Sequence, residues 1–279
     1  MRRAPVAKGE SLAARGDNQP SPDAPAAGRI YAGDCIDLMR RWPAGCADAC
    51  ITDPPYNMSR KKGLGWAFSS HVTMQEKWDR FSGDDYLDFT REWLAEVCRL
   101  VKPNGNILIF GSFHNIYTIG FVLQSRLGRR VLQQITWFKP NAQPNITTRL
   151  PTESTEYVLW ACNETPKKAT RWTFNYDLAK QINGGKQLRN LWTIPLTPKS
   201  ERRMGGHPSQ KPVALVERIV KLWTNPGDLA LDCFLGTGTT AIACERLGRR
   251  WVGIERDPQY VEIARKRLAA TTTEDRATP

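Results

Sequence analysis

The sequence predicts an α/β protein built on a parallel sheet with helices on both faces. Three observations carry that prediction. Apolar runs of strand length alternate with helix-period segments along most of the chain. A buried-looking run at residues 229–232 is followed by the turn Gly236-Thr237-Gly238 and then by helical sequence. The apolar run Ala49-Cys50-Ile51 delivers the rigid turn Thr52-Asp53-Pro54-Pro55-Tyr56-Asn57.

Residues 1–28 are rich in Ala, Pro, Ser, Gly and Arg and have no sustained apolar period, so they are expected to form a disordered basic tail. From Arg29 the chain becomes orderly. Residues 29–32 read as a strand, Gly33-Asp34 as a turn and residues 35–42 as a helix stopped by Pro43, with Asp34 placed to cap that helix, to face a ligand at the strand end, or both. A strand follows at 48–52. Residues 58–81 are a long polar stretch containing Arg60, Lys61, Lys62, Trp66, Trp78 and Arg80, readable as a basic lid or as a mobile loop anchored by its tryptophans. Tyr86, Leu87, Phe89, Trp93, Leu94, Val97 and Leu100 recur at helical spacing over 84–101, and the turn Lys102-Pro103-Asn104-Gly105 separates them from a strand at 106–110. A helix at 113–127 and a strand at 131–138 continue the alternation. Residues 139–206 break it: beyond one strand at 155–162, basic residues are interleaved with Trp172, Phe174, Tyr176 and Trp192. That mixture suits phosphate contact and base reading as well as a solvated face. A helix at 213–224, a strand at 229–232, a helix ending near Leu247 and a strand at 250–254 complete the pattern.

The composition sets the class of partner. The chain has 279 residues, 41% of them hydrophobic, and a net charge of +12 from 40 Lys and Arg against 28 Asp and Glu. Such a balance favours a polyanion, nucleic acid first among them. No apolar run is long enough to span a bilayer, so a cytoplasmic protein is expected. Cys35, Cys46, Cys50, Cys98, Cys162, Cys233 and Cys244 lack paired metal-ligand spacing and read as reduced thiols.

Two turns carry the chemistry. The prolines of Asp53-Pro54-Pro55-Tyr56 stiffen the segment and donate no hydrogen bonds, so the Asp53 carboxylate and the Pro54 carbonyl can accept both N–H groups of a planar amine beside the Tyr56 face. Taken alone, the tetrapeptide is equally compatible with a strand-ending turn. In the second turn, Gly236 and Gly238 open a helix N-terminus, and Glu255 follows Gly236 by 19 positions, where an acid can bind a ribose. A nicotinamide or flavin site is disfavoured because position 241 is Ala where G-x-G-x-x-G needs Gly, and because Asp232 would repel a diphosphate. Asp232 suits a nucleoside bearing a cationic arm.

Together these residues resemble the DNA amino-methyltransferases that use S-adenosylmethionine. Asp53-Pro54-Pro55-Tyr56 is similar to their catalytic motif, Asp232-Cys233-Phe234-Leu235-Gly236-Thr237-Gly238 to their cofactor loop, and His207-Pro208-Ser209-Gln210-Lys211-Pro212 to the segment before the cofactor strand. The catalytic motif precedes the cofactor loop, which resembles the circularly permuted beta class, as does Gly33-Asp34-Cys35. The resemblance covers residues 29–268. It implies a seven-stranded, mostly parallel, Rossmann-like sheet with one reversed strand, divided into a catalytic half at 29–139, a target-recognition insertion at 140–205 and a cofactor-binding half at 206–268, with a flexible tail at 269–279. It also implies catalysis by Asp53, Pro54, Pro55 and Tyr56, and a cofactor held by Asp34, Cys35, Asp53, His207, Ser209, Gln210, Lys211, Asp232, Phe234, Gly236, Thr237, Gly238, Thr239 and Glu255, with no metal. The implied reaction is methylation of a flipped-out adenine N6 in a specific site of double-stranded DNA, by a monomer or homodimer that takes a restriction endonuclease of the same site as companion where it serves restriction-modification. Cytosine N4 is the first alternative, and an RNA or protein amide the second.

Overall fold

Eight strands form one sheet in the computed structural model, which describes residues 24–57, 82–145 and 149–277. In chain order they are β1 (Arg29–Ala32), β2 (Ala47–Thr52), β3 (Val101–Gly111), β4 (Arg130–Phe138), β5 (Thr155–Cys162), β6 (Leu191–Thr193), β7 (Leu229–Asp232) and β8 (Arg250–Glu255). Across the sheet the order is β1-β8-β7-β2-β3-β5-β4-β6. Only the two pairings made by β5 are antiparallel, so β5 is the single reversed strand. The expected seven strands become eight because the three-residue β6 adds itself beside β4.

Alternation along the strands explains why both faces must be covered. In β2 and β3, Cys50, Ile107 and Ile109 point into one apolar cluster while Ile51, Leu108 and Phe110 point into another. Residues of successive parity lie on opposite faces of a sheet, so continuous apolar runs bury both. The first face is covered by α1 (Cys35–Met39), α2 (Gly83–Leu100) and α3 (Ile116–Phe121), the last continued by a π-helical turn over Val122–Arg126. The second is covered by α4 (Tyr176–Ile182), α5 (Val213–Trp223), α6 (Thr239–Arg246) and α7 (Pro258–Ala277).

Four boundaries differ from expectation. The first helix stops at Met39, three residues short of Trp42 and before Pro43 has any influence. The turn at 102–105 lies inside β3 as a bulge, with Asn104 in the left-handed region at φ 60° and the register against β2 jumping between Ala47 and Ala49. Residues 26–28, read as tail, join the body: Gly28 N–H donates to the Trp251 carbonyl at 2.7 Å and Ala26 N–H to the Tyr31 hydroxyl at 2.9 Å. Residues 269–277, also read as tail, continue α7, and Thr271 is buried. Residues 1–23 and the proposed lid at 58–81, with Trp66 and Trp78, lie outside the described residues.

The stretch at 140–205 supplies two strands of the same sheet, β5, read from the sequence as a strand, and β6. Of the four aromatics interleaved with its basic residues, Trp172, Phe174 and Trp192 pack around Trp160 and Trp223 instead of facing outward, while Tyr176 is exposed. Its cations do face outward, since Arg149, Lys167, Lys168, Arg171, Lys186, Arg189, Lys199, Arg202 and Arg203 are all exposed. No described helix is long and apolar enough to cross a membrane.

Candidate active site

The parallel strands end at one edge of the sheet, and four of them deliver a functional residue there. β1 runs into Gly33 and Asp34, β2 into Asp53, β7 ends on Asp232 and β8 on Glu255. This is the edge at which open α/β sheets bind ligands. A cavity of about 480 Å³ opens along it, lined by Asp34, Cys35, Asp53, Pro55, His207, Ser209, Gln210, Lys211, Asp232, Phe234, Gly236, Thr237, Thr239 and Glu255 among others. Of the residues expected at the site, Pro54, Tyr56 and Gly238 do not line this cavity.

At the β7 end, the Asp232 carboxylate is buried, and Oδ1 accepts from the Thr52 hydroxyl at 2.7 Å and from the Phe234 N–H at 3.1 Å. Burial pushes its pKa up to about 6, only partly offset by these donors and the Thr240 hydroxyl. No ion pair compensates it among the described residues. A buried carboxylate open to a cavity and lacking a counter-ion is a receptor for a cation. Next to it, Glu255 accepts from Gly236 N–H and Asp257 N–H, each at 2.7 Å, which tethers the glycine turn to β8. Gly236 sits at φ 53° with no atom near where a Cβ would stand, so the backbone itself forms the wall there. Phe234 is held edge-on by Trp93 at 5.3 Å and leans on Phe89 at 6.1 Å, giving an apolar surface beside the acids. Cation, hydroxyl-bearing sugar and flat ring each find a matching wall, so the cavity fits S-adenosylmethionine.

At the β2 end, Asp53 is held by two donors. Tyr56 hydroxyl donates to Oδ1 at 2.8 Å, and the Lys211 ammonium to Oδ2 at 2.6 Å. Lys211 is buried, 5% exposed at its side chain; it also donates to the Ser209 carbonyl at 3.0 Å and pairs with Glu156 at 3.3 Å. Lys139 completes the set, donating to the other Glu156 oxygen at 3.2 Å. Burial raises the Asp53 pKa and Lys211 offsets it only in part, whereas for Glu156 the two lysines outweigh burial and hold it below the ordinary value. Burial would depress Lys211, but Asp53 and Glu156 together raise it, so it stays charged. The Tyr86 hydroxyl donates to the Pro55 carbonyl at 2.9 Å and pins the turn to α2.

Tyr56 differs from the open stacking face that its sequence suggests. It is 9% exposed, with the Lys211 nitrogen 5.2 Å from its ring centroid. Its hydroxyl bridges Asp53 and Glu156, a role that the flanking prolines do not announce. His207 stacks edge-on against Tyr260 at 4.6 Å, and its Nδ1 faces the Ser209 hydroxyl at 2.9 Å. Burial, with Lys211 and Arg202 nearby, drops its pKa to about 4, so the ring is neutral near pH 7. Gly238 serves packing, its φ of 83° opening α6 against Ala264.

Sequence reasoning missed Glu156, Lys139, Tyr86, Tyr260 and Arg267. Arg267, buried in α7, donates from Nη1 to the Thr237 carbonyl at 2.6 Å and hydroxyl at 2.9 Å and to the Thr239 hydroxyl at 3.2 Å, clamping the glycine turn from behind. The available signals were slight: a lone acid heading the apolar strand at 155–162, and a lysine just after Trp137-Phe138.

Comparison with known proteins bears on this geometry. A family model described as DNA methylase matches residues 47–266. Type II methyltransferase M2.DpnII of Streptococcus pneumoniae is 43% identical over 239 residues, 85% of this chain and 88% of the relative. Type II methyltransferase M2.MboI of Moraxella bovis is 38% identical over 247 residues, 87% of this chain and 88% of the relative. Among solved structures, the M1.HpyAVI–SAM complex superposes with a TM-score of 0.63 at 30% identity, over 86% of this chain and 98% of that one. The PvuII cytosine-N4-specific DNA methyltransferase shares the fold at a TM-score of 0.69 and 20% identity, over 90% of this chain and 92% of that one.

Proposed function

Given that the chain belongs to the DNA methylase family and is a DNA amino-methyltransferase using S-adenosylmethionine, we propose that its acceptor is the exocyclic N6 of an adenine, received by Asp53. One observation carries this reading: Asp53 and the uncompensated Asp232 end adjacent strands and face one cavity, which sets an amine acceptor beside a receptor for a cationic donor.

S-adenosylmethionine supplies an electrophilic methyl group to the amine nitrogen. Asp232 would hold its cationic arm, Glu255 its ribose hydroxyls, and Phe234 would offer its ring an apolar surface. Asp53 would accept one N–H of the target amine, and the Pro54 carbonyl, which lies outside the cavity lining, is the acceptor that the family resemblance implies for the other. Accepting both bonds turns the nitrogen lone pair out of conjugation with the ring, so positioning rather than a strong base lowers the barrier. As the N–CH₃ bond formed and the methyl–sulfur bond of the donor broke, its electron pair staying on sulfur, positive charge would grow on nitrogen, and Asp53 would stabilise it. Asp53 then takes the proton that nitrogen loses, a role suited to a carboxylate whose pKa burial has raised. Lys211 and the Tyr56 hydroxyl keep the carboxylate facing the cavity throughout.

The acceptor must lie outside any base stack, because a paired amine cannot reach the recessed strand ends. Double-stranded DNA therefore calls for extrusion of the adenine, and a single strand only for unstacking. The outward-facing cations at 149–203 support a role for that segment in holding the DNA backbone. A restriction endonuclease of the same site is the proposed companion, and the cytoplasm the proposed compartment.

The test is incubation with radiolabelled S-adenosylmethionine and separate pools of duplex DNA, single-stranded DNA, RNA and protein, followed by nucleoside chromatography. The expected product is N6-methyl-2′-deoxyadenosine from DNA. Label in N4-methylcytosine would overturn the choice of base, and label confined to RNA or protein the choice of substrate. The duplex and single-strand arms decide whether extrusion from a helix is part of the reaction.

A further inference from the structure

The one reversed strand brings an acid to the site. Because β5 runs against β3 and β4, its first residues lie at the edge where the parallel strands end. Glu156 there accepts from the Tyr56 hydroxyl and pairs with Lys211, each at 3.3 Å, through Oε2, and takes Lys139 at 3.2 Å on Oε1. Tyr56 and Lys211 are the same two groups that hold Asp53, on Oδ1 at 2.8 Å and on Oδ2 at 2.6 Å. Both donors are shared between the two carboxylates. Resting on the reading that Asp53 receives the target amine, we propose that Glu156 is a positioning residue for methyl transfer: it fixes the Tyr56 hydroxyl and the Lys211 ammonium so that Asp53 faces the cavity in one orientation before the amine arrives.

Two physical effects make this placement matter. A carboxylate that must accept one particular N–H loses rate steeply when its orientation wanders, so donors that are themselves pinned are worth more than mobile ones. Lys139 pins Glu156, and Glu156 pins Lys211. The second effect is charge. Lys139 and Lys211 are balanced by Asp53 and Glu156, so neutralising Glu156 leaves one excess positive charge beside an amine on which positive charge must grow. The environments also separate the roles of the two acids. Asp53 is raised toward proton uptake, while Glu156 is held ionised as an anchor.

The experiment uses the full chain, with kcat and kcat/KM on DNA across pH, S-adenosylmethionine affinity by calorimetry without DNA, and thermal unfolding. Glu156→Gln is expected to lower kcat about 10- to 100-fold while cofactor affinity stays within about threefold. The groups facing Asp53 are Lys211, Glu156, Tyr56 and Asp232. Losing the Glu156 charge, which raises Asp53, moves the acid limb of kcat/KM to lower pH. Tyr56→Phe removes a donor that stabilises ionised Asp53, so it moves the limb to higher pH. The Tyr56→Phe shift identifies the limb as that of Asp53 whatever Glu156 does, whereas a purely structural role for Glu156 would leave the limb of Glu156→Gln in place. Glu156→Asp keeps the charge and shortens the reach, and should lower kcat with the limb unmoved, which decides the matter should the Gln variant fail to fold. Wild-type kcat in Glu156→Asp, or wild-type kcat and an unmoved limb in Glu156→Gln, overturns the proposal. Wild-type protein that leaves DNA unmethylated overturns the parent reading and this proposal with it, whereas variant losses against an active wild type concern Glu156 alone.

Discussion

Asp53 and Asp232 are carboxylates at the ends of neighbouring strands, linked through the Thr52-Asp53 peptide and the Thr52 hydroxyl on Asp232, and burial raises both. They differ in company. Asp53 has Lys211, while Asp232 has only hydroxyl and N–H donors. Asp53→Ala is expected to lower kcat by about 10³-fold or more, since it removes a group that contacts the reacting nitrogen, while leaving S-adenosylmethionine affinity nearly unchanged. Label transfer to DNA and calorimetry of cofactor binding check the two halves, and a rate near wild type would remove Asp53 from the chemistry. For Asp232 the expectation has a sign. An acid whose folded-state pKa lies above its ordinary value favours the fold while protonated. Its contribution is fully present below the unfolded value near 3.8, is lost as pH rises through about 6, and above that the ionised group costs on the order of 3 kcal/mol. Asp232→Asn, which keeps an acceptor for the Thr52 and Phe234 donors, should therefore unfold at higher temperature than wild type at pH 8 and lose that advantage toward pH 4. Its cofactor affinity should fall roughly 10- to 100-fold, because the cationic arm loses its counter-charge. A variant less stable than wild type at pH 8 would show that Asp232 is not a strained charge.

Among the strands and helices, the features legible in the sequence are those local in the chain. The turn after β2, the glycine turn after β7 and the acid ending β8 are each a run of adjacent residues, and apolar periodicity placed the strands that carry them. The features that stayed hidden depend on which strands lie side by side. Glu156 reaches Asp53 only because β5 is reversed and inserted between β3 and β4, and Arg267 reaches Thr237 only because α7 folds back on α6. Neither proximity leaves a mark in spacing. The same reason explains Trp172, Phe174 and Trp192, whose pattern beside cations suits base stacking until the sheet places Trp160 and Trp223 against them. Arg267 yields a prediction about an element rather than a reacting group. Its pKa is lowered to about 10 by burial, so it is charged at neutral pH, and its three bonds hold the glycine turn onto α7. Arg267→Met should destabilise the fold by about 1–3 kcal/mol through the unsatisfied Thr237 carbonyl and should weaken S-adenosylmethionine binding, with kcat at saturating cofactor close to wild type. Thermal unfolding and cofactor titration measure both; a kcat defect that saturation leaves in place would assign Arg267 to the reaction.

Over the whole molecule, charge is sorted between inside and outside. The chain carries +12, yet its cavity is lined by Asp34, Asp53, Asp232, Glu255 and Asp257 against only Lys211 and Arg256. Outside it, nine of the described cations between Arg149 and Arg203 are exposed. A cationic cofactor and a polyanionic substrate are drawn to different places by the same charge distribution, and salt should separate them. Each phosphate neutralised releases condensed counter-ions, so DNA affinity falls as a power of salt concentration, whereas a buried acid is screened far less. With about four or five phosphates engaged, a rise from about 50 to about 200 mM salt should weaken DNA binding on the order of 10²-fold or more, while S-adenosylmethionine affinity changes by less than about threefold. Titrations of a fluorescent oligonucleotide and of the cofactor over the same salt series give the two slopes directly. A flat DNA slope would mean that the surface cations do not meet the backbone. A cofactor slope as steep as that of DNA would mean that the acids at the strand ends are open to solvent rather than enclosed.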